Sequence, residues 1–306
     1  MTDLQSGPLK PFLDLVHGDD SLCMEIRDNY INIYYRGGSL YKISPSPQKA
    51  GKYNVSFDNK YTLLHTNQVS AILPNDLDAW LRSLPILKFE MDAWFNRHPK
   101  LEREIQQQIV RENNQIRLAR HTDYFITDIE LAGLQSGSRF DMTAIKWLSE
   151  PGPRKSKKGI IPAYIEVKFG DNSLFGKAGL EKHIRDMASL LCDPLKLHTS
   201  VTEIQSLFNQ KIQLQLIKGA TGSISIDTSA KPEVILILAN HKPASTILKR
   251  EIEKILTLQE YKDLNQVCDV RVACSSFMGY GLYARCMVSL EDCLRLLEGN
   301  LVGGCK

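Results

Sequence analysis

The chain lacks the cysteine and apolar patterns that mark secreted and membrane proteins. No C-x-x-C pair is present, so neither a disulfide framework nor a structural zinc site is expected, and a reducing compartment fits best. The longest uniform apolar run, Val234–Ala239, is too short to cross a membrane. The first residues, MTDLQSGPLKPF, show no signal-peptide pattern. We therefore expect a cytoplasmic protein without a membrane partner. The cysteines are scattered and odd in number: seven, at 23, 192, 268, 274, 286, 293 and 305.

Nucleotide-binding loops and a strong charge bias are also missing. The sequence contains neither G-x-x-x-x-G-K-[ST] nor G-x-G-x-x-G, so nucleotide-dependent chemistry has no support. The formal net charge is only +3, so a basic contact surface, if there is one, must be local. With 306 residues, 43% of them hydrophobic and 24% charged, the chain is long enough for one large globular domain or two smaller ones.

Residues 21–61 have the pattern of a small antiparallel meander. Short β-like runs are separated by Asp28-Asn29 and by Gly37-Gly38, and such pairs suit the positive φ angles of tight hairpins. These runs are CMEIR, YINIYYR, SLYKIS and YNVSFD. We predict an N-terminal β module over residues 1–72.

From residue 73 onward the pattern changes to helices and then to an α/β alternation. Asn75 or Asp76 caps the first helical pattern, Pro85 interrupts it, and a helix restarts after Pro99 with Leu101, Ile105 and Ile109 on one face. Helices are also expected at GLEKHIRDMASLL and at residues 246–258. The predicted strands are 123–132, 139–148, 160–170, 233–239 and 268–274. The sequence therefore predicts an α/β domain over residues 73–306, with a mixed sheet flanked by helices.

The stretch AYIEVKFGD places an acid and a base in a run suited to a sheet interior. Glu166 and Lys168 share one strand face because strand side chains alternate with a period of two. The preceding connection, SEPGPRKSKKGI, reads as an exposed hairpin loop and would bring Asp141 beside Glu166. Two adjacent carboxylates repel unless a hard divalent cation lies between them. The alternative is an edge strand with a solvated charged face.

Taken together, these residues resemble the PD-(D/E)XK nuclease superfamily over roughly residues 99–190. Asp141 matches the strand aspartate, Glu166 and Lys168 match the E-x-K, and Glu104 matches the helical acid, with Glu102 as a rival. Arg139-Phe140 stands where the family pattern has proline. The resemblance implies a restriction-endonuclease-like fold and a Mg²⁺- or Mn²⁺-dependent nuclease. Asp141 and Glu166 would hold the metal, Glu104 would assist, and Lys168 would stabilise the attacking hydroxide.

Several neighbouring residues are secondary candidates. Charge runs are usually soluble loops, but this one joins the two site strands, which favours phosphate contact by its four cations: Arg154, Lys155, Lys157 and Lys158. His183 follows on the next helix as a substrate contact or a structural histidine, with Asp186 on the same helical face. Glu130 is a further acid that would reach the site. The FMGYGLY segment, residues 277–283, would stack bases or pack in a turn.

The rival function is a catalytically inactive module that binds nucleic acid or a protein partner. DNA is the favoured substrate, and prokaryotic restriction, repair or phage defence are the settings that the resemblance suggests. The sequence does not distinguish DNA from RNA as the substrate, single from double strands, or endonucleolytic from exonucleolytic cutting. Paired cuts in a duplex would favour a homodimer.

Overall fold

The structure is a computed structural model that describes residues 1–131, 140–241, 246–275 and 282–298. The chain divides into two compact units. The first consists of Met1–Arg111 together with Leu214–Leu216, and the second contains the remainder of the chain.

The first unit is built on a four-stranded antiparallel sheet in the order β1-β2-β3-β4, which confirms the predicted meander. Its strands are β1 Leu22–Ile26, β2 Ile31–Tyr35, β3 Gly38–Pro45 and β4 Tyr53–Ser56. Its helices are α1 Thr2–Gln5, α2 Lys10–Gly18, α3 Thr66–Ser70, α4 Leu77–Arg82, α5 Leu84–Arg97 and α6 Leu101–Val110.

The turn between β2 and β3 lies one residue earlier than the sequence predicted. Arg36 and Gly37 take φ angles of 51° and 71°, so they form the two-residue turn, and Gly38 already begins β3. Glycine is required at position 37 for a second reason, because an added Cβ would lie 2.4 Å from the carbonyl oxygen of Arg103. The turn therefore packs directly on the backbone of α6.

The helices that follow the sheet belong to the same unit, whereas the sequence analysis assigned everything after residue 72 to the second domain. Asp76 caps α4 by accepting the N–H of Ala79 at 2.9 Å, as one of the two predicted caps. Trp80 and Phe95 are buried in one core with Tyr41 of β3. The Tyr41 hydroxyl donates to the Trp80 carbonyl at 2.8 Å. Shared burial of apolar residues explains why these helices stay with the sheet.

Glu90 of α5 is a fully buried carboxylate that organises the loop before α3. It accepts the backbone N–H groups of Leu63, Leu64 and His65, and the His65 Nδ1 atom lies 2.7 Å from Glu90 Oε1. Burial alone would raise the pKa of this carboxyl, but the N–H donors outweigh burial and hold the pKa below its ordinary value.

The second unit contains a five-stranded mixed sheet in the order β5-β6-β7-β8-β9. Its strands are β5 Tyr124–Leu131, β6 Phe140–Lys146, β7 Ile161–Phe169, β8 Glu233–Ala239 and β9 Asp269–Ser275. Its helices are α7 Pro151–Ser156, α8 Leu180–Leu191, α9 Pro194–Gln213, α10 Thr246–Thr257, α11 Gln259–Val267 and α12 Leu290–Leu297. All five predicted strands are present, and α7, α9, α11 and α12 were not foreseen.

Strand direction divides this sheet into an antiparallel and a parallel half. The pairs β5–β6 and β6–β7 are antiparallel, and the pairs β7–β8 and β8–β9 are parallel. Lys146 pairs with both Tyr124 and Ile161, so the starts of β5 and β7 share one end of the sheet. Phe169 pairs with Ala239 at the opposite end. Helices α8 to α12 pack their apolar side chains into one core with residues of the sheet.

The hydrogen bonds that Glu90 accepts from the loop before α3 yield a stability prediction. Glu90→Gln replaces two of the acceptor lone pairs with an N–H₂ that faces other donors. We therefore expect a loss of about 1–3 kcal/mol in the free energy of unfolding near neutral pH, measured by urea denaturation. In the folded protein the pKa of Glu90 lies below its unfolded value, which is near 4.5. The ionised carboxyl therefore contributes stability above pH 4.5, and that contribution is lost as the pH falls through the folded pKa.

The pH dependence provides the check. The gap between parent and Glu90→Gln is expected to narrow as the pH falls below 4.5. Asp14→Asn serves as the control, because its exposed pair with Lys10 is worth little. A parent and a Glu90→Gln variant of equal stability at neutral pH would contradict the proposed role of these hydrogen bonds.

Candidate active site

Strand β7 is a central strand and carries two buried charges. β6 and β8 pair with it on either side, so the alternative of a solvated edge strand is wrong. Glu166 is 1% exposed and Lys168 is 4% exposed. Removal of one partner from a buried ion pair typically costs 3–5 kcal/mol, because an uncompensated charge is left behind. The two residues therefore depend on each other for burial.

Glu166, Lys168 and His183 form a closed triangle of contacts. Lys168 Nζ lies 2.6 Å from Glu166 Oε1, which confirms that both side chains share one strand face. His183, from the first turns of α8, places Nδ1 3.0 Å from the same oxygen. Its Nε2 lies 3.1 Å from Lys168 Nζ. The structure brings His183 onto the E-x-K pair, which agrees with the structural histidine that the sequence analysis offered; its contact with nucleic acid stays a prediction.

One protonation state of His183 satisfies both neighbours. Burial, together with the neighbouring Lys168 ammonium, lowers the pKa of the imidazole to about 4, so the ring is neutral near pH 7. Because Nε2 accepts from the Lys168 ammonium, the ring carries its proton on Nδ1. The ring also hydrogen-bonds to the backbone of Ala178, and Nδ1 lies at ion-pair distance from the Glu166 carboxylate. His183 thus bridges an anion and a cation without a charge of its own.

Asp141 lies next to this triangle, on the neighbouring strand. The paired register between β6 and β7 ends at Met142 and Ile165. Just beyond it, the N–H of Val167 donates to Asp141 Oδ2 at 2.8 Å. Because Val167 stands between Glu166 and Lys168, the Asp141 carboxylate is fixed beside the E-x-K. The predicted convergence of the two strands is confirmed. We call Asp141, Glu166, Lys168 and His183 the β7 cluster.

The oxygen donors of the β7 cluster fit a hard cation better than a structural zinc ion. Among the residues that the structure describes, no group of three or more His, Cys, Asp and Glu side chains is arranged to hold a metal. Mg²⁺ is commonly bound by one or two carboxylates and keeps several waters or phosphate oxygens. The Asp141 and Glu166 carboxylates match that donor set.

Glu104 belongs to the first unit and has a partner there. Its carboxylate receives the Arg36 guanidinium, with Nη2 3.1 Å from Oε1 and Nε 3.3 Å from Oε2. Arg36 also reaches Asp92 at 3.0 Å and stacks over the Phe95 ring. These contacts hold the β2–β3 turn, so Glu104 has a structural role, and its participation in catalysis stays a prediction.

The connection between β6 and β7 contains the short helix α7 where the sequence predicted a loop. It leaves the end of β6 and enters the start of β7, which is the end of the sheet opposite Lys168. From Ile161 to Glu166 the strand rises about 17 Å, at ~3.3 Å per residue. The cations of this connection are therefore remote from the β7 cluster along the strand.

Arg154 of this connection faces inward. Its Nη2 donates to the Thr122 carbonyl at 2.6 Å, and its guanidinium lies over the rings of Phe125 and Trp147. Burial lowers the pKa of this arginine to about 10. Arg154 thus supports packing rather than a phosphate contact. Of its neighbours, Lys157 donates to the Ser223 carbonyl at 2.9 Å, and Lys155 and Lys158 are exposed.

Two residues that the sequence analysis did not connect support Lys168 from the backbone side. His241, just after β8, places Nδ1 3.0 Å from Asp171 Oδ1 and Nε2 3.4 Å from the Lys168 carbonyl oxygen. No local pattern links residues 70 positions apart.

Asp186 pairs with Lys182 on the surface of α8. The Glu130 side chain and residues 277–281 of FMGYGLY lie outside the described part of the chain.

Comparison with known proteins adds no assignment. No family model matches the chain, and no curated protein or solved structure matches it. In the described ranges, none of the helices combines the length and apolar character that a membrane crossing needs.

The triangle predicts how His183 responds to substitution. His183→Ala removes the ring that accepts from the buried Lys168 ammonium and lies beside Glu166, so we expect a loss of about 1–3 kcal/mol in the free energy of unfolding. His183→Asn offers an amide N–H and a carbonyl oxygen and is expected to recover part of that loss. Urea denaturation measures both variants.

His198→Ala is the matched control for this experiment, because His198 is exposed on α9. It is expected to unfold within about 0.5 kcal/mol of the parent. If His183→Ala proved as stable as His198→Ala, the imidazole would not bridge the buried pair.

Proposed function

We propose that the protein is a metal-dependent nuclease that hydrolyses phosphodiester bonds, with DNA as the favoured substrate. One observation carries the proposal. The Asp141 carboxylate on β6 lies beside the buried Glu166–Lys168 pair on β7, toward one end of a mixed sheet. Buried charges without a structural need mark functional sites more often than surface charges do. The arrangement agrees with what the resemblance to the PD-(D/E)XK superfamily implies.

The residues divide the chemistry as follows. Asp141 and Glu166 would hold Mg²⁺ or Mn²⁺, which supplies charge neutralisation at the phosphoryl group and a more acidic bound water. Lys168 carries donors alone, so it acts as a cation toward the attacking hydroxide or the developing charge and not as a metal ligand. The Val167 N–H fixes the Asp141 carboxylate before substrate arrives. The His183 ring accepts from the Lys168 ammonium and lies 3.0 Å from Glu166 Oε1, so it holds the E-x-K pair in place.

An inactive binding module is the competing proposal. A buried Glu166–Lys168 pair also occurs as a purely structural element, since pairs of this kind are held by their own Coulomb attraction. Asp141 is harder to explain in that way, because it places a further acid beside the pair. We extend the proposal to a cytoplasmic enzyme of restriction, repair or phage defence, with a homodimer favoured where both strands of a duplex are cut.

Removal of a carboxylate tests the metal requirement. Asp141→Asn keeps an oxygen that accepts the N–H of Val167 but removes the negative charge. We expect Asp141→Asn and Glu166→Gln each to abolish Mg²⁺-dependent cleavage of DNA while the far-UV circular dichroism spectrum is unchanged. Glu150→Gln, an exposed acid before α7, should cleave as the parent does. Normal cleavage by Asp141→Asn would rule out this site.

Lys168 separates metal binding from chemistry. Lys168→Ala removes the cation that compensates Glu166, so the free energy of unfolding without metal should fall by about 3–5 kcal/mol. Both carboxylates remain, and a bound metal would compensate them instead. Calorimetry on the folded variant should therefore show Mg²⁺ or Mn²⁺ binding as in the parent, or tighter, because a neighbouring positive charge is gone. Single-turnover cleavage is expected to slow by about 10²- to 10³-fold, the usual size of one such electrostatic contact. A variant that cuts at the parental rate would contradict the assigned role.

A further inference from the structure

The connection from β7 to α8 begins and ends at the β7 cluster. Lys168 precedes it and His183 follows it, and their side-chain nitrogens lie 3.1 Å apart. The chain between them therefore starts and ends beside the cluster. We call residues 170–179 the rim segment. By contrast, the α7 connection lies at the other end of the sheet.

The rim segment is held in place by its own contacts. Leu174 is fully buried, and its carbonyl accepts the N–H of Leu180 at 2.9 Å. Asp171 is tied to His241 at 3.0 Å. Gly179 packs so closely that an added Cβ would lie 2.6 Å from the Leu174 carbonyl oxygen and the Phe175 backbone. A fixed segment loses little conformational entropy when a ligand binds to it.

The tip of the rim segment presents an aromatic ring and a cation to solvent. Phe175 is 43% exposed, directly after the buried Leu174. Lys177 is exposed and makes no ion pair with any residue in the described part of the chain. Cations further along α8 are neutralised: Lys182 pairs with Asp186, and Arg185 pairs with Glu181. Gly176, with φ +82°, lets the chain turn between the two exposed side chains.

An exposed aromatic ring beside a cation suits a nucleotide whose base is unpaired. Stacking on an aromatic side chain needs a free base face, which a base inside a duplex lacks, and a neighbouring cation meets the phosphate backbone. We propose that the rim segment binds an unpaired stretch of nucleic acid, with Phe175 stacked on a base and Lys177 at a phosphate. This inference rests on the proposed nuclease function and narrows its substrates to single strands or frayed ends.

Fluorescence anisotropy with labelled oligonucleotides tests the inference. The parent is titrated into a single strand and into a blunt duplex of equal length. Ca²⁺ replaces Mg²⁺ as another cation that prefers oxygen ligands, and a gel checks that the oligonucleotides stay intact. Phe175→Ala should weaken single-strand binding about tenfold, within the range for one stacked base, and duplex binding less than twofold. Phe175→Trp should bind as the parent does.

Lys177 and a matched aromatic control complete the design. Lys177→Ala should reduce the slope of log K against log salt by about 0.7 for the single strand, the value for one released counterion, and Lys177→Arg should restore it. Phe89 of α5, in the first unit, is 52% exposed and serves as the aromatic control. Phe89→Ala should leave binding unchanged.

The outcomes separate this inference from the proposed function. If the parent binds and Asp141→Asn abolishes cleavage, but Phe175→Ala binds single strands normally, the rim inference is overturned and the nuclease stands. An equal loss for single strand and duplex would also overturn it, because stacking on an unpaired base would not explain the loss. A parent that binds no oligonucleotide at all contradicts both proposals.

Discussion

The contact between Lys168 and Glu166 is the interaction on which the second unit depends. An acid and a base are buried on the central strand of a five-stranded sheet, with 2.6 Å between Nζ and Oε1. Neither charge is tolerable there alone, because desolvation of an unpaired ion costs several kcal/mol. The pair therefore requires its partners. Helix α8 supplies a neutral imidazole that contacts both charges, and the backbone beyond Lys168 is tied to His241.

Strand topology explains why this chemistry collects at one end of the sheet. The antiparallel β6 starts where β7 ends, so the start of one strand and the end of the other bring Asp141 to the E-x-K. The parallel β8 must then be reached through a long connection, as for any parallel pair. That connection contains α8, and its first turns deliver His183. The rim segment follows from the same geometry, since it joins the two elements that carry the cluster.

Local patterns in the sequence were sufficient for the strands, the first hairpins and the E-x-K pair. Apolar runs and an alternation with a period of two indicate which strand residues are buried. The predicted bounds of β7 and β8 therefore lie within two residues of those in the structure. Contacts between distant residues were not accessible in this way. Arg154 looked like a loop cation because its aromatic partners, Phe125 and Trp147, are separate in sequence. His183 was assigned to substrate because nothing local shows that α8 lies over Glu166. The limit of the first unit was missed for the same reason.

Anomalous X-ray diffraction from crystals grown with Mn²⁺ tests the central claim most directly. Manganese prefers the same carboxylate and water oxygens as magnesium and is identified by its own scattering. The account predicts a manganese peak within coordination distance of the Asp141 and Glu166 carboxylates, with the Lys168 ammonium beside it and outside its ligand sphere. Crystals that bind manganese elsewhere, or that show no peak at the β7 cluster under saturating Mn²⁺, would contradict it.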